Sequence, residues 1–254
     1  MKGLSCSQAL INNFQQRQLI SNLVNPVSKN YPDKIRFLAV IPAYNEEKSL
    51  RSVVEGALAR ICDVLVINDG STDSTSEVIK RLGVPYIDQK HMGKGAALRA
   101  GFDYAVKKRY DWIITMDGDG QHDPGEIPVF IEAIRKNGTD LVVGSRMNDT
   151  REMPFVRKAT NRLMSSLISS LAGCRIPDTQ CGFRAIRCSV FKKVALKTSH
   201  FDTETELLIK AVRAEFKVSS VLISTIYNGS KSSVNKITDT ARFVRLLWMI
   251  NVNG

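Results

Sequence analysis

The 254-residue chain holds no apolar run approaching the ~18 residues that a membrane-spanning helix needs. A secretory leader is missing too, because Asn12, Asn13, Gln15 and Arg17 break up the N-terminus before an apolar block can form. The expectation is a chain that neither crosses a bilayer nor is secreted. Its five cysteines are an odd number, and Cys174, Cys181 and Cys188 show no Cys-x-x-Cys spacing. Reduced thiols in a cytosolic setting are expected, without a zinc site. Neither a Walker loop nor Gly-x-Gly-x-x-Gly occurs, which removes two common phosphate-binding readings. Aromatic residues do not interleave with basic ones, so nucleic acid is not an expected partner.

Charge of one sign is also missing at both ends. Residues 1–30 carry Lys2, Arg17 and Lys29 and no acid, while residues 217–254 set Lys217, Lys231, Lys236, Arg242 and Arg245 against Asp239 alone. With 36 basic and 25 acidic residues the net charge is +11, which favours polyanions: phosphorylated substrates or an anionic membrane face. A solvated face without a specific partner explains such an excess equally well.

What is present is alternation. Phe37 to Ile41, Val64 to Ile67, Val84 to Asp88, Trp112 to Met116 and Leu141 to Val143 are short apolar runs of buried-strand type, the first ended by Pro42. Leu50, Val53, Val54, Ala57, Leu58 and Ile61 fall on one helical stripe, and helices are expected around Val78 to Leu82 and Ala97 to Ala105. Strand and helix in turn imply an α/β domain, a mostly parallel sheet with helices on both faces. Ligands of such sheets sit beyond the strands' carboxyl ends. Four expected ends carry polar signatures: Tyr44-Asn45-Glu46, Asn68-Asp69, Asp117 to Gln121, and Ser145-Arg146. After residue 150 the alternation loosens into helices over 156–171 and 203–214, a strand over 218–227, and an amphipathic element over 239–250.

Asp117-Gly118-Asp119 places two carboxylates on a tight turn, where both can reach one hard divalent cation such as Mg²⁺, and Gln121 can add an oxygen or orient a water. Asp-Gly-Asp is also an ordinary turn, but its position directly after a buried strand favours the cation. Asp69 follows a strand in the same way and can accept hydrogen bonds from a base edge or ribose. Asp73 suits a helix cap better than a ligand contact. Gly93-Lys94-Gly95 permits close backbone approach and supplies a cation for a diphosphate.

Pro42 to Glu46, Asn68 to Asp73, Gly93 to Ala97, Met116 to His122 and Gly144 to Arg146, taken in order, resemble the inverting family 2 glycosyltransferases of the dolichyl- and polyprenyl-phosphate hexose synthase type. Asp178 to Arg184 is similar to the acceptor-side motif of that subgroup. The resemblance runs from about Phe37 to Arg245. It implies a GT-A (Rossmann-like) domain over residues 35–237, flanked by a basic leader over 1–34 and an amphipathic helix over 238–254. It further implies a nucleotide-diphosphate sugar donor, Mg²⁺ or Mn²⁺, and a polyprenyl or dolichyl phosphate acceptor. Pro42, Tyr44, Glu46, Asp69, Lys94 and Asp117 would hold the nucleotide end, Asp117, Asp119 and Gln121 the metal. Asp119 and Arg146 would carry the reaction, Arg146 by meeting a phosphate, with Arg184 as a helper. Either arginine could instead be a solvated or ion-paired side chain. Glu204 and Glu206 match an acidic start of a late helix, and also suit a first turn.

An acceptor phosphate is already ionised, so neither His122 nor His200 is assigned as a base, and His91 is expected to be structural or solvent-facing. Many relatives continue into transmembrane helices. Here contact with the cytoplasmic face of a membrane is expected to be peripheral, through the basic C-terminal stripe, or supplied by a membrane-protein partner. A soluble or protein-linked acceptor and a non-catalytic sugar-nucleotide-binding protein are the competing readings.

Overall fold

The computed structural model describes residues 35–226 except 62, 148–154, 174, 200–201 and 225. The leader and the 238–254 stripe therefore lie outside the described residues. So do Cys62, Cys174 and His200.

Parallel strands buried on both faces read as continuous apolar runs, and that rule explains the centre of the molecule. β1 (Phe37–Ala43), β2 (Asp63–Asp69), β4 (Trp112–Thr115) and β5 (Leu141–Ser145) are buried almost throughout. β3 (Tyr86–Gln89), β6 (Arg184–Arg187) and β7 (Val218–Leu222) complete a seven-stranded sheet in the order β3-β2-β1-β4-β6-β5-β7. Four pairings are parallel, and β6 pairs antiparallel with both β4 and β5. β1 extends through Pro42 to Ala43 rather than ending at the proline. The expected strand over 218–227 stops at Leu222.

The helices are α1 (Leu50–Leu58), α2 (Thr75–Leu82), α3 (Lys94–Lys107), α4 (Ile127–Asn137), α5 (Phe155–Ala172) and α6 (Asp202–Arg213). α1 buries the expected Leu50, Val53, Val54 and Ala57. Asp73 caps as expected, its Oδ1 accepting the Thr75 N–H at 3.0 Å.

Because β6 runs against its neighbours, it begins at the edge where β4 and β5 end. That reversal carries residues 178–183 to the same rim as the four polar strand ends. Beyond β7 the chain stays on this rim: the Ser224 N–H donates to Glu126 Oε1 at 2.8 Å, and the Ile226 N–H to the Gln121 carbonyl at 3.0 Å.

Candidate active site

The loops after β1 and β2 are joined by side chains. Asn45 takes a left-handed φ of 58°, which aims its Oδ1 at the Thr72 N–H, 2.8 Å away. The Asn45 N–H donates to Ser71 Oγ at 3.0 Å, and the Glu46 N–H to Thr75 Oγ1 at 2.8 Å. Tyr44, fixed at the rim by these bonds, lies against the His91 ring with centroids 4.0 Å apart and planes 25° apart. Both rings are open to solvent over much of their surface.

Asp69 ends β2 at the rim and is bonded to β3 and to the loop after β3. Its Oδ1 accepts from Gln89 Nε2 at 2.7 Å and from the Met92 N–H at 2.9 Å. Its Oδ2 accepts from the Gly93 N–H at 2.9 Å and lies 3.0 Å from His91 Nδ1. Three N–H donors and the His91 ring thus surround one carboxylate, and the buried Asp69 fixes the loop that starts α3 with Lys94. His91, expected to be structural or solvent-facing, is half exposed and lies at the rim through its contact with Asp69.

The Asp117–Asp119 turn rests directly on the end of β1. A Cβ on Gly118 would lie 3.2 Å from the Pro42 carbonyl oxygen and 3.5 Å from Glu46 Cγ, so a larger residue would have to push the turn outward by a few tenths of an ångström. Asp119 Oδ1 accepts the Gln121 N–H at 2.9 Å. Burial pushes the Glu46 carboxyl up to about 7, and the charges of Asp119, Asp117 and Asp73 add to the rise. Burial opposes the Asp117 charge as well, but Lys94 overcomes it and holds that carboxyl down at about 2. Lys94 Nζ is 2.6 Å from Asp117 Oδ1 and 3.2 Å from Glu204 Oε2.

His122 is buried beneath this turn and accepts the Asp117 N–H on Nδ1 at 3.3 Å. Burial pushes it down to about 4, so it is a neutral bracket and not a base at neutral pH. Its Nε2 is 3.9 Å from the Cys181 thiol, which burial pushes up to about 12. Cys181 and Cys188 are free buried thiols.

On the other side, Arg146 donates through Nε and one terminal nitrogen to both oxygens of Asp178, at 2.8 and 3.0 Å. Asp178 is fully buried and also accepts from Asn161 of α5 at 3.0 Å. The ion-paired alternative for Arg146 is what the structure displays, and the pair stands close enough for the Arg146 charge to act on Asp117. Arg184 is 1% exposed and donates to the carbonyls of Cys181, Glu204 and Thr179. It braces the 178–184 turn through three of its five donors. Glu206 is likewise structural: it accepts from the Lys197 and Thr198 N–H groups and from Lys210.

The donor set suits a hard cation, being all oxygen and held at a rim. Among the described residues no three acidic, histidine or cysteine side chains converge into a cation cage. An open set of two carboxylates is what Mg²⁺ or Mn²⁺ accepts when substrate phosphates complete the shell.

Residues 38–195 match the model of Glycosyl transferase family 2. The chain belongs to that family. This family 2 chain is 31% identical over 219 residues to the UDP-N-acetylglucosamine--dolichyl-phosphate N-acetylglucosaminyltransferase of Methanococcus voltae, covering 77% of this chain and 87% of the relative. It is 31% identical over 205 residues to the polyprenol monophosphomannose synthase of Mycolicibacterium smegmatis, covering 74% and 77%. The expected kinship with polyprenyl- and dolichyl-phosphate sugar synthases holds. In three dimensions it is similar to glucosyl-3-phosphoglycerate synthase of Mycobacterium tuberculosis, solved with Mn²⁺, uridine diphosphate and product, at TM-score 0.65 and 17% identity over 97% of this chain and 84% of that one. At that identity the likeness carries the fold, which is GT-A.

Proposed function

We propose that this family 2 glycosyltransferase moves a hexose from a nucleoside-diphosphate sugar to a polyprenyl or dolichyl phosphate, with inversion at the anomeric carbon. The observation that carries this reading is the meeting, on one rim, of an acidic turn at Asp117–Asp119 with the cations Lys94 and Arg146. An acidic turn holds a divalent ion, while fixed cations attract phosphates from either side.

Pro42, Tyr44 and Glu46 line the nucleotide end, where the Tyr44–His91 pair offers a flat face to a base or ribose. Asp69 acts there through the loop it holds. Asp117, Asp119 and Gln121 would hold Mg²⁺ or Mn²⁺, which neutralises charge on the departing nucleoside diphosphate. Arg146 receives the acceptor phosphate, kept in place by Asp178. That acceptor arrives ionised and attacks from the face opposite the leaving group, so the chain needs to position it and screen its charge. The neutral, buried His122 is consistent with a reaction that asks for no base. A hydroxyl acceptor, soluble or protein-linked, would require one.

The lipid acceptor places the enzyme peripherally at a membrane, on its cytoplasmic face. Among the described residues no helix is long and apolar enough to cross a bilayer. α5 exposes Leu163 and Leu167 beside Arg162, an apolar ridge with a cation suited to an anionic bilayer surface. The test of function is the product: labelled sugar should enter the organic phase in the presence of polyprenyl phosphate and leave its lipid in mild acid. Label confined to water would overturn the lipid reading.

A further inference from the structure

Lys94, Asp117 and Glu204 form a three-member charge cluster from three distant parts of the chain. Lys94 opens α3, Asp117 follows β4, and Glu204 lies in the first turn of α6. Gly182 floors the cluster so closely that a Cβ there would lie 2.9 Å from both Lys94 Nζ and Asp117 Oδ2. Glu204 is held from behind, because Arg184 donates to its carbonyl at 2.6 Å. Its two oxygens differ: Oε2 meets Lys94 at 3.2 Å, whereas Oε1 is buried without a hydrogen-bond partner. An acceptor left in that condition is costly, so it marks a position where a donor belongs for part of the working cycle.

Lys94 is a donor already in contact with this carboxylate. Its ammonium sits 2.6 Å from Asp117, on the carboxylate that a divalent ion would need. Two cations on one carboxylate repel in proportion to the product of their charges. Lys94 has three donors on a flexible stem, and Glu204 has an oxygen to spare. We propose that Glu204 is a positioning residue that takes up Lys94 when a divalent cation occupies Asp117, which lets one ammonium serve as counterion in both states. The proposal rests on the reading of Asp117 and Asp119 as cation ligands and adds how their resident cation is displaced.

Binding of Mn²⁺ alone, followed by the spectrum of the free ion in electron paramagnetic resonance, tests it without turnover. Glu204→Gln should raise the Mn²⁺ dissociation constant about tenfold, a coupling typical of contacting charges. Lys94→Met should bind Mn²⁺ at least as tightly as the parent, because the competitor is gone. In the Lys94→Met background, Glu204→Gln should cost only a small part of that tenfold. Glu204→Asp, which keeps the charge, should recover most of the loss. Equal losses from Glu204→Gln with and without Lys94, or weaker binding by Lys94→Met, overturn the proposal. The Lys94→Met result decides the matter by itself if Glu204→Gln fails to fold, as judged by circular dichroism. Asp119→Ala tests the underlying reading separately: unchanged Mn²⁺ binding there removes the cation site altogether.

Discussion

Replacing Asp178 by alanine should strand the Arg146 guanidinium in the interior. Arg146 is 7% exposed and its partner is not exposed at all, so water cannot take the carboxylate's place without opening the rim. Removing one member of such a buried pair costs ~3–5 kcal/mol, because the remaining charge has lost its hydrogen-bonded partner. Asn161 loses its acceptor as well, which adds ~1 kcal/mol. At ~2–4 °C per kcal/mol for a domain of this size, the melting temperature should fall by about 8–24 °C. Thermal and urea unfolding followed by circular dichroism measure it. A loss below ~1 kcal/mol would show that the pair is screened like a surface bridge, and the reasoning would fail. The companion variant, Arg146→Met with Asp178→Leu, separates folding from chemistry. Apolar replacement of both partners should restore most of the stability. Transfer should stay absent, since the phosphate then meets no cation. Recovery of turnover in that variant would remove Arg146 from the reaction.

Asp119→Ala should lower turnover at least about a hundredfold while leaving the circular dichroism spectrum intact, because it changes a rim loop and not the core. Chelation should have the same effect on the parent, and full activity in chelator would refute the metal reading. Tyr44→Ala and His91→Ala should each weaken nucleoside-diphosphate binding about two- to tenfold by calorimetry, with stacked-ring energies setting the scale. For the pH dependence of stability, the Asp178 carboxyl lies below its ordinary 3.8 and Glu206 below its ordinary 4.5. In both, burial works against the charge, and the bonds from Arg146 or from Lys210 and Thr198 win. A depressed carboxyl stabilises fully above its unfolded value and loses that contribution as pH falls through the folded one. The urea midpoint should therefore lose these two contributions as pH falls below about 4.5, and Glu206→Gln should make that acid fall shallower.

How much of this was legible in the chain depended on distance along it. β1, β2, β4 and β5 were readable because strands covered on both faces cannot carry polar residues, so each announces itself locally. β6 was not readable. Its sequence, Arg-Ala-Ile-Arg, begins with a charge that is buried only because three backbone carbonyls from two other segments receive it. α4 was readable but unread: Ile127, Phe130, Ile131 and Ile134 keep helical spacing and are all buried. At the site, the Asp-x-Asp turn stood out because both carboxylates lie within three residues. Arg146 and Asp178 are 32 residues apart, and Lys94 meets Glu204 across a longer interval still. Nothing in the spacing of such residues says which cation pairs with which acid. Asp69 shows a related limit: its type and place suit a ligand contact, and only folding shows the bonds it makes to the loop before α3.

The two bonds that hold the chain to the rim beyond β7 have a mechanical consequence. Ser224 is tied to Glu126 and Ile226 to Gln121, the residue two places after Asp119. A pull on the chain at Ile226 is thus delivered first to the turn that carries Asp119 and only afterwards to the sheet.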